Sequence, residues 1–115
     1  MNVCFVHAEC TATALGTEYM GTTATSAGGY TCRPWTEATT SFVGVTVDAN
    51  YPDGSVAAAS NYCRNPDSDP NGLWCFTTDL TKNWDYCSVP LCSGKCISAY
   101  NVCHMYYAET STRLL

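Results

Sequence analysis

Cysteine is the feature that most restricts how this chain can fold. Nine of its 115 residues are cysteine, and Cys63, Cys75 and Cys87 recur at equal intervals of twelve. Such density in a short chain points to a scaffold held by disulfides rather than by a large apolar core. Disulfides persist in oxidising compartments, so a secreted or extracellular protein is expected. Zinc is the other common use of cysteine, and it favours close pairs of Cys and His. The nearest approach is Cys92-Ser-Gly-Lys-Cys96 with Cys103-His104 beyond it, which lacks that pairing. No metal and no cofactor is expected. Spacing alone leaves fifteen pairings open for any six cysteines.

Charge narrows the partners. The net charge is −5, and the cations are only Arg33, Arg64, Lys82, Lys95 and Arg113. That argues against nucleic acid, whose phosphates call for several Lys or Arg contacts. It also disfavours an anionic membrane surface. An acidic surface suits basic partners, exposed lysines among them. No apolar run is long enough to cross a bilayer. The start, Met1-Asn-Val-Cys-Phe-Val-His, has neither the basic region nor the apolar core of a secretion signal. The expectation is a removed signal or a piece of a longer chain. No N-x-[ST] sequon is present, so N-glycosylation is not expected.

The pattern divides into a flank over 1–9, a cysteine-framed domain over 10–92 and a second flank over 93–115. The expected fold is small, disulfide-rich and mostly irregular, with short β-hairpins. Thr11 to Tyr30 is rich in Thr, Ala and Gly and reads as loop and short strand. Ser41 to Asp48 alternates weakly and predicts a short strand. Tyr51-Pro-Asp-Gly predicts a turn, and Asn65 to Gly72 a longer turn system. Phe76-Thr-Thr-Asp and Asn83-Trp-Asp-Tyr predict a hairpin across Leu80-Thr-Lys. Val56 to Ser60 is too short for a stable helix. Tyr100, Cys103 and Tyr107 predict modest helix between Ile97 and Glu109.

One constellation carries chemistry. Asp67 and Asp69 lie two residues apart in the turn system, and Trp74, Phe76, Trp84 and Tyr86 follow closely. Paired carboxylates beside aromatic rings suit a buried alkyl-ammonium group. The competing reading makes Asp67 a turn cap and the aromatics ordinary packing. Nothing points to catalysis. His104 directly follows Cys103, and no G-x-S-x-G occurs. Asp67-Ser-Asp-Pro-Asn-Gly begins like a calcium loop, but Pro70 and the missing terminal Glu break it. The chain reads as a non-enzyme with no catalytic residues.

These words together resemble the kringle family. They are Tyr19-Met-Gly, Cys32-Arg-Pro-Trp35, Asn61-Tyr-Cys-Arg-Asn-Pro-Asp67, Trp74-Cys-Phe-Thr-Thr78, Trp84-Asp-Tyr-Cys87 and Val89-Pro-Leu-Cys92. The resemblance covers Cys10 to Cys92. It implies a kringle fold and the pairing Cys10–Cys92, Cys32–Cys75 and Cys63–Cys87, with Trp35, Tyr62 and Trp74 packed around the crossed bridges. It further implies a lysine pocket. Asp67 and Asp69 would hold the ammonium, and Trp74, Phe76, Trp84 and Tyr86 would line a trough for the stem.

The chain departs from the family at several points. Thr39-Thr-Ser-Phe-Val-Gly replaces a Pro-His-x-His stretch, and Leu73 replaces a proline. A core leucine is missing near Ala58, with Val56 expected in its place. Cationic residues that would hold a free carboxylate are absent: Asn83 stands ahead of Trp84, and the other position falls near Val45 to Val47. Internal lysines are therefore expected to bind better than free lysine analogues.

Cys4, Cys96 and Cys103 are extra. The favoured pairing joins Cys4 to one of the tail cysteines, with Cys96–Cys103 as the alternative. Either leaves one cysteine over, which suggests a bond to another chain or another domain. Three functions compete: a module binding a protein through exposed lysines, a structural subunit in a disulfide-linked oligomer, and an accessory module of a secreted protease.

Overall fold

The computed structural model describes residues 9–38 and 42–92, with the backbone of two short strands in the tail. Regular structure is sparse. Two short 3₁₀ helices span Trp35–Glu37 and Asp48–Asn50. Strands β1 (Trp74–Phe76) and β2 (Trp84–Tyr86) form an antiparallel hairpin in which Trp74 faces Tyr86 and Phe76 faces Trp84. Strands β3 (Cys96–Ile97) and β4 (Val102–Cys103) pair separately, with Cys96 opposite Cys103. Among the described residues no helix is long and apolar enough to cross a membrane.

Covalent bonds do the work that secondary structure does elsewhere. Cys32–Cys75 and Cys63–Cys87 cross near the centre, where Cys32 Sγ approaches Cys63 Sγ to 3.9 Å. Cys10–Cys92 joins the two ends of the domain. The same seam is closed by hydrogen bonds from Thr11 N to Pro90 O and from Cys92 N to Thr11 O, both 2.8 Å. This is the pairing the resemblance implies. A native bridge in a small domain contributes about 2–5 kcal/mol, enough to offset a small core.

That core is aromatic and sits on the bridges. Trp35 meets Tyr51, Trp74 and Phe76 edge-on at 5.6, 4.9 and 5.6 Å between ring centroids. Edge-to-face contact sets the positive rim of one ring against the negative face of the next. Trp35 satisfies its indole by donating to Tyr62 O at 2.7 Å. Tyr19, Val45, Ala59 and Leu73 complete the buried cluster. Tyr62, expected in this core, is instead half-buried. The buried Arg64 guanidinium lies over its ring at 5.4 Å. Val56 packs only on the margin, and Ala59 fills the deeper position.

A hairpin forms, but its first strand is Trp74–Phe76 rather than the expected Phe76 to Asp79, so the connection is longer than Leu80-Thr-Lys. Both turn systems form where expected. The first closes with Gly54 N donating to Tyr51 O at 3.0 Å, and the second with Gly72 N donating to Asp69 O at 3.0 Å. Two further expectations need correction. Phe42 to Asp48 is a series of turns, not a strand, because Gly44 takes a φ of 86° that breaks extension. Val45 is thereby turned inward to full burial, leaving Val43 and Val47 exposed. In the tail, Cys96–Ile97 and Val102–Cys103 are strands where helix was expected. Tyr100 and Tyr107 lie outside the described residues.

Candidate functional site

The β1–β2 hairpin presents alternate residues to one side, as a pleated pair must. Trp74, Phe76, Trp84 and Tyr86 therefore share a face. Trp74 lies 5.0 Å from Phe76 and 6.1 Å from Trp84, and Trp84 lies 5.0 Å from Tyr86, all steeply inclined. Burial divides the four. Trp74 and Phe76 are each 2% exposed and form a floor, while Trp84 and Tyr86 are half-buried and form a wall. Two of these aromatics are core, and two have surface to offer.

The turn system delivers the carboxylates to the aromatic row. Buried Asn65 organises it. Its side-chain amide donates to Leu15 O at 2.7 Å and Asp69 O at 3.0 Å, and its Oδ1 accepts from Asp69 N at 2.8 Å. Asp67 is exposed and accepts from Trp74 Nε1 at 2.9 Å. Asp69 is half-buried and accepts from the Tyr86 hydroxyl at 3.0 Å. Each acid is thereby tethered to one aromatic residue. Asn71 braces the second tether: its backbone N–H donates to Asp69 Oδ1 at 2.8 Å and its side-chain amide to the Tyr86 hydroxyl at 3.1 Å. On its far side Asp67 borders an open depression of about 570 Å³, lined also by Val43, Gly44, Asn50, Pro66 and Ser68.

Three participants escaped the sequence. Phe42 lies 5.5 Å from Trp74 and 5.2 Å from Phe76, extending the aromatic floor from a loop that predicted strand. Asn71 is the brace just described. Arg33 is the third. Its backbone N–H donates to Phe76 O at 2.7 Å, and its guanidinium lies over the Phe76 ring at 5.5 Å. Its Nη2 donates to Asn83 Oδ1 at 3.2 Å. The Cys32–Cys75 pairing held a signal for it, since that bond brings the residue after Cys32 alongside the residue after Cys75.

Asp85 points the other way. It accepts from Ser26 Oγ at 2.8 Å and Gly28 N at 3.0 Å. Desolvation works against its charge, but those hydrogen bonds and nearby Lys82 outweigh it and lower its pKa. It secures the 26–30 turn.

The sulfurs of Cys32, Cys63, Cys75 and Cys87 lie within 4.8 Å of one another, a cluster that elsewhere would suggest a metal. All four are consumed in the crossed bridges and have no thiolate to offer. The site is thus a pair of anchored anions beside half-buried rings, suited to a cation with an apolar stem.

Comparison with known proteins agrees with the architecture. A family model described as Kringle domain matches residues 10–92. The human protein named putative apolipoprotein(a)-like protein 2 is 41% identical over 78 residues, which is 68% of this chain and 56% of that protein. The chain therefore spans little more than half the length of this relative.

Proposed function

The chain belongs to the kringle family, and from that premise we propose that it binds protein partners by capturing exposed lysine side chains. Kringle domains are in general non-catalytic protein-binding modules of extracellular proteins, and a disulfide-framed domain fits that setting. The observation that carries the lysine reading is the double tether of Asp67 to Trp74 and of Asp69 to Tyr86. It fixes two anions at the rim of an aromatic row. A lysine ammonium placed between them lays its methylene stem along Trp84 and Tyr86.

Magnitudes make this a weak single contact. Burying three or four methylenes contributes about 2–3 kcal/mol. A partly exposed ion pair adds up to about 1 kcal/mol and a cation–π contact about 0.5–2 kcal/mol. Association costs several kcal/mol, which leaves a dissociation constant on the order of millimolar. Useful affinity then comes from neighbouring contacts or from several copies acting together. Titration with Nα-acetyl-lysine methyl ester, followed by NMR, is expected to move the Trp84 indole signal. No shift at Trp74 or Trp84 at ligand concentrations on the order of tens of millimolar rejects the reading.

A second reading has arithmetic behind it. Nine cysteines is an odd number, so at least one has no partner within the 115 residues. A subunit linked by disulfide to another chain runs as a covalent dimer or ladder on a non-reducing gel. A single monomeric band rejects that reading and leaves the lysine proposal standing.

A further inference from the structure

The β1–β2 hairpin has a tip as well as a face. Residues 78–83 are all exposed, and Lys82 N donates to Asp79 O at 3.2 Å to close the turn. Two side chains of this turn are left over by the fold. Leu80 is fully exposed. Lys82 is the one lysine among the described residues, and its ammonium stands 3.9 Å from Asp85, at the limit of an ion pair. Asp85 is already held by Ser26 and Gly28, so Lys82 can exchange that partner at little cost. The acid of the turn, Asp79, is engaged by Thr81, whose backbone N–H donates to it at 2.7 Å. The tip therefore offers an apolar side chain and an ammonium together.

The same domain carries the complement of that pair. On one side Asp67 is bonded to Trp74 Nε1 of the aromatic row. On the other it borders the open depression of about 570 Å³, whose lining includes Val43 and Pro66 and no cation. Val43 is 88% exposed, so the depression has an uncovered apolar rim. A single exposed leucine or valine is ordinary on a protein surface. Here a leucine two residues from a lysine matches a valine beside an aspartate, and all four belong to one chain.

We propose that the lysine captured by the trough is Lys82 of a second copy of this chain, with Leu80 of that copy seated in the depression against Val43 and Pro66. The proposal rests on the lysine reading above and names its partner. Tip and trough are different surfaces, so the contact is head-to-tail: each copy gives one tip and receives another, and the assembly can extend beyond two. Half-burying a leucine strengthens a millimolar lysine contact about tenfold, to a dissociation constant on the order of a tenth of a millimolar. Copies held side by side by a covalent link would meet at an effective concentration above that value.

Sedimentation equilibrium of the full chain, with any free thiol capped by iodoacetamide, tests this. Between about 0.01 and about 1 mM the wild-type average mass is expected to rise toward dimer and beyond. Excess Nα-acetyl-lysine methyl ester, on the order of tens of millimolar, should return it to monomer. Lys82→Gln and Asp67→Asn should each stay monomeric over that range, and Leu80→Ser should associate about tenfold more weakly. Mixing Lys82→Gln with Asp67→Asn guards against misfolding. The first keeps an intact trough and the second an intact tip, so together they form a one-to-one complex that grows no further. Wild type that remains monomeric at the highest concentration, association unaffected by Lys82→Gln, or a mixture that stays monomeric overturns the docking. Where the ester still moves the Trp84 indole signal, the lysine reading stands without it; where the ester moves nothing, both fall.

Discussion

Two arginines of this domain lie against aromatic rings, and their surroundings differ in one respect. Arg64 is saturated. It is 1% exposed, and its guanidinium donates twice to Asp53 at 2.8 Å, to Gly21 O at 2.9 Å and to Cys63 O at 2.7 Å. Tyr19 and Tyr62 flank it at 5.3 and 5.4 Å. Arg33 has one ring and one hydrogen bond, to a neutral partner. A buried charge with four of its five N–H donors used holds elements of the fold together, because removing any partner leaves a desolvated ion. A half-buried charge with donors to spare costs little when removed and has capacity left for a ligand. The anions divide similarly. Glu9 accepts from the Tyr19 hydroxyl at 2.5 Å and from Thr22 N, Thr22 Oγ1 and Thr23 Oγ1, each at 2.8 Å. Asp67 accepts one hydrogen bond among the described residues.

The sharpest way to break this comparison is Asp53→Ala. It leaves the Arg64 charge buried without its bidentate partner, a loss expected to cost about 3–5 kcal/mol. Denaturant unfolding with the disulfides intact measures it. A loss under about 1 kcal/mol would show that water or a neighbouring acid satisfies Arg64, and the saturated class would lose its leading member.

The difference between the two arginines also marks what the sequence made legible. The six cysteines of the domain and their surrounding words were enough to identify the architecture. The hairpin was legible only in part: its second strand was read at Asn83 to Tyr86, but its first was placed at Phe76 to Asp79, two residues beyond Trp74–Phe76, because the threonines there are strand-forming by type. Asp67, Asp69 and the four aromatics were legible as a group because they lie close together in the chain. What stayed hidden depends on contacts between distant residues. Arg33 is 50 positions from Asn83, and nothing local in Cys32-Arg-Pro-Trp35 shows what its side chain covers. Glu9 read as flank, yet it is bonded to residues 19–23 and belongs physically to the domain's edge. Phe42 was hidden by the Val-x-Val-x-Val alternation, which reads as strand until Gly44 is seen at positive φ.

A smaller effect is expected from Asp67→Asn. The amide oxygen still accepts from Trp74 Nε1, so the turn should hold and stability should change by less than about 1 kcal/mol. The loss falls on binding: affinity for Nα-acetyl-lysine methyl ester should drop about fivefold, as one partly exposed ion pair is removed. Unchanged affinity would make Asp67 a turn cap, and the comparison would lose its unsaturated anion.

Acid tests the saturated anion. Partial burial opposes the charge on Glu9, but hydrogen bonds from Tyr19, Thr22 and Thr23 outweigh it and hold its pKa at about 2. Burial and the same carboxylate push the Tyr19 hydroxyl up to about 12. Because the Glu9 pKa is lower folded than unfolded, its contribution is complete above the ordinary value of 4.5 and drains away as pH falls toward 2. Solvent screening keeps the gain to about 1 kcal/mol. Glu9→Gln should therefore be less stable than wild type near neutrality, with the gap closing toward pH 2. A gap of constant size across that window would mean that the carboxylate charge contributes nothing.

The smallest effect is the most informative about Arg33. Arg33→Gln removes a charge that pairs with no carboxylate among the described residues and keeps a donor that can reach Asn83. Its stability should match wild type within about 0.5 kcal/mol, as for a surface substitution outside any network. The comparison predicts a near-null in stability. A loss of more than about 2 kcal/mol would place Arg33 with Arg64, as a guanidinium whose packing on Phe76 helps hold the core. A change that small separates the two arginines by what they contribute: one secures the fold around Cys63, and the other, bonded only to a neutral amide among the described residues, leaves part of its charge open to solvent.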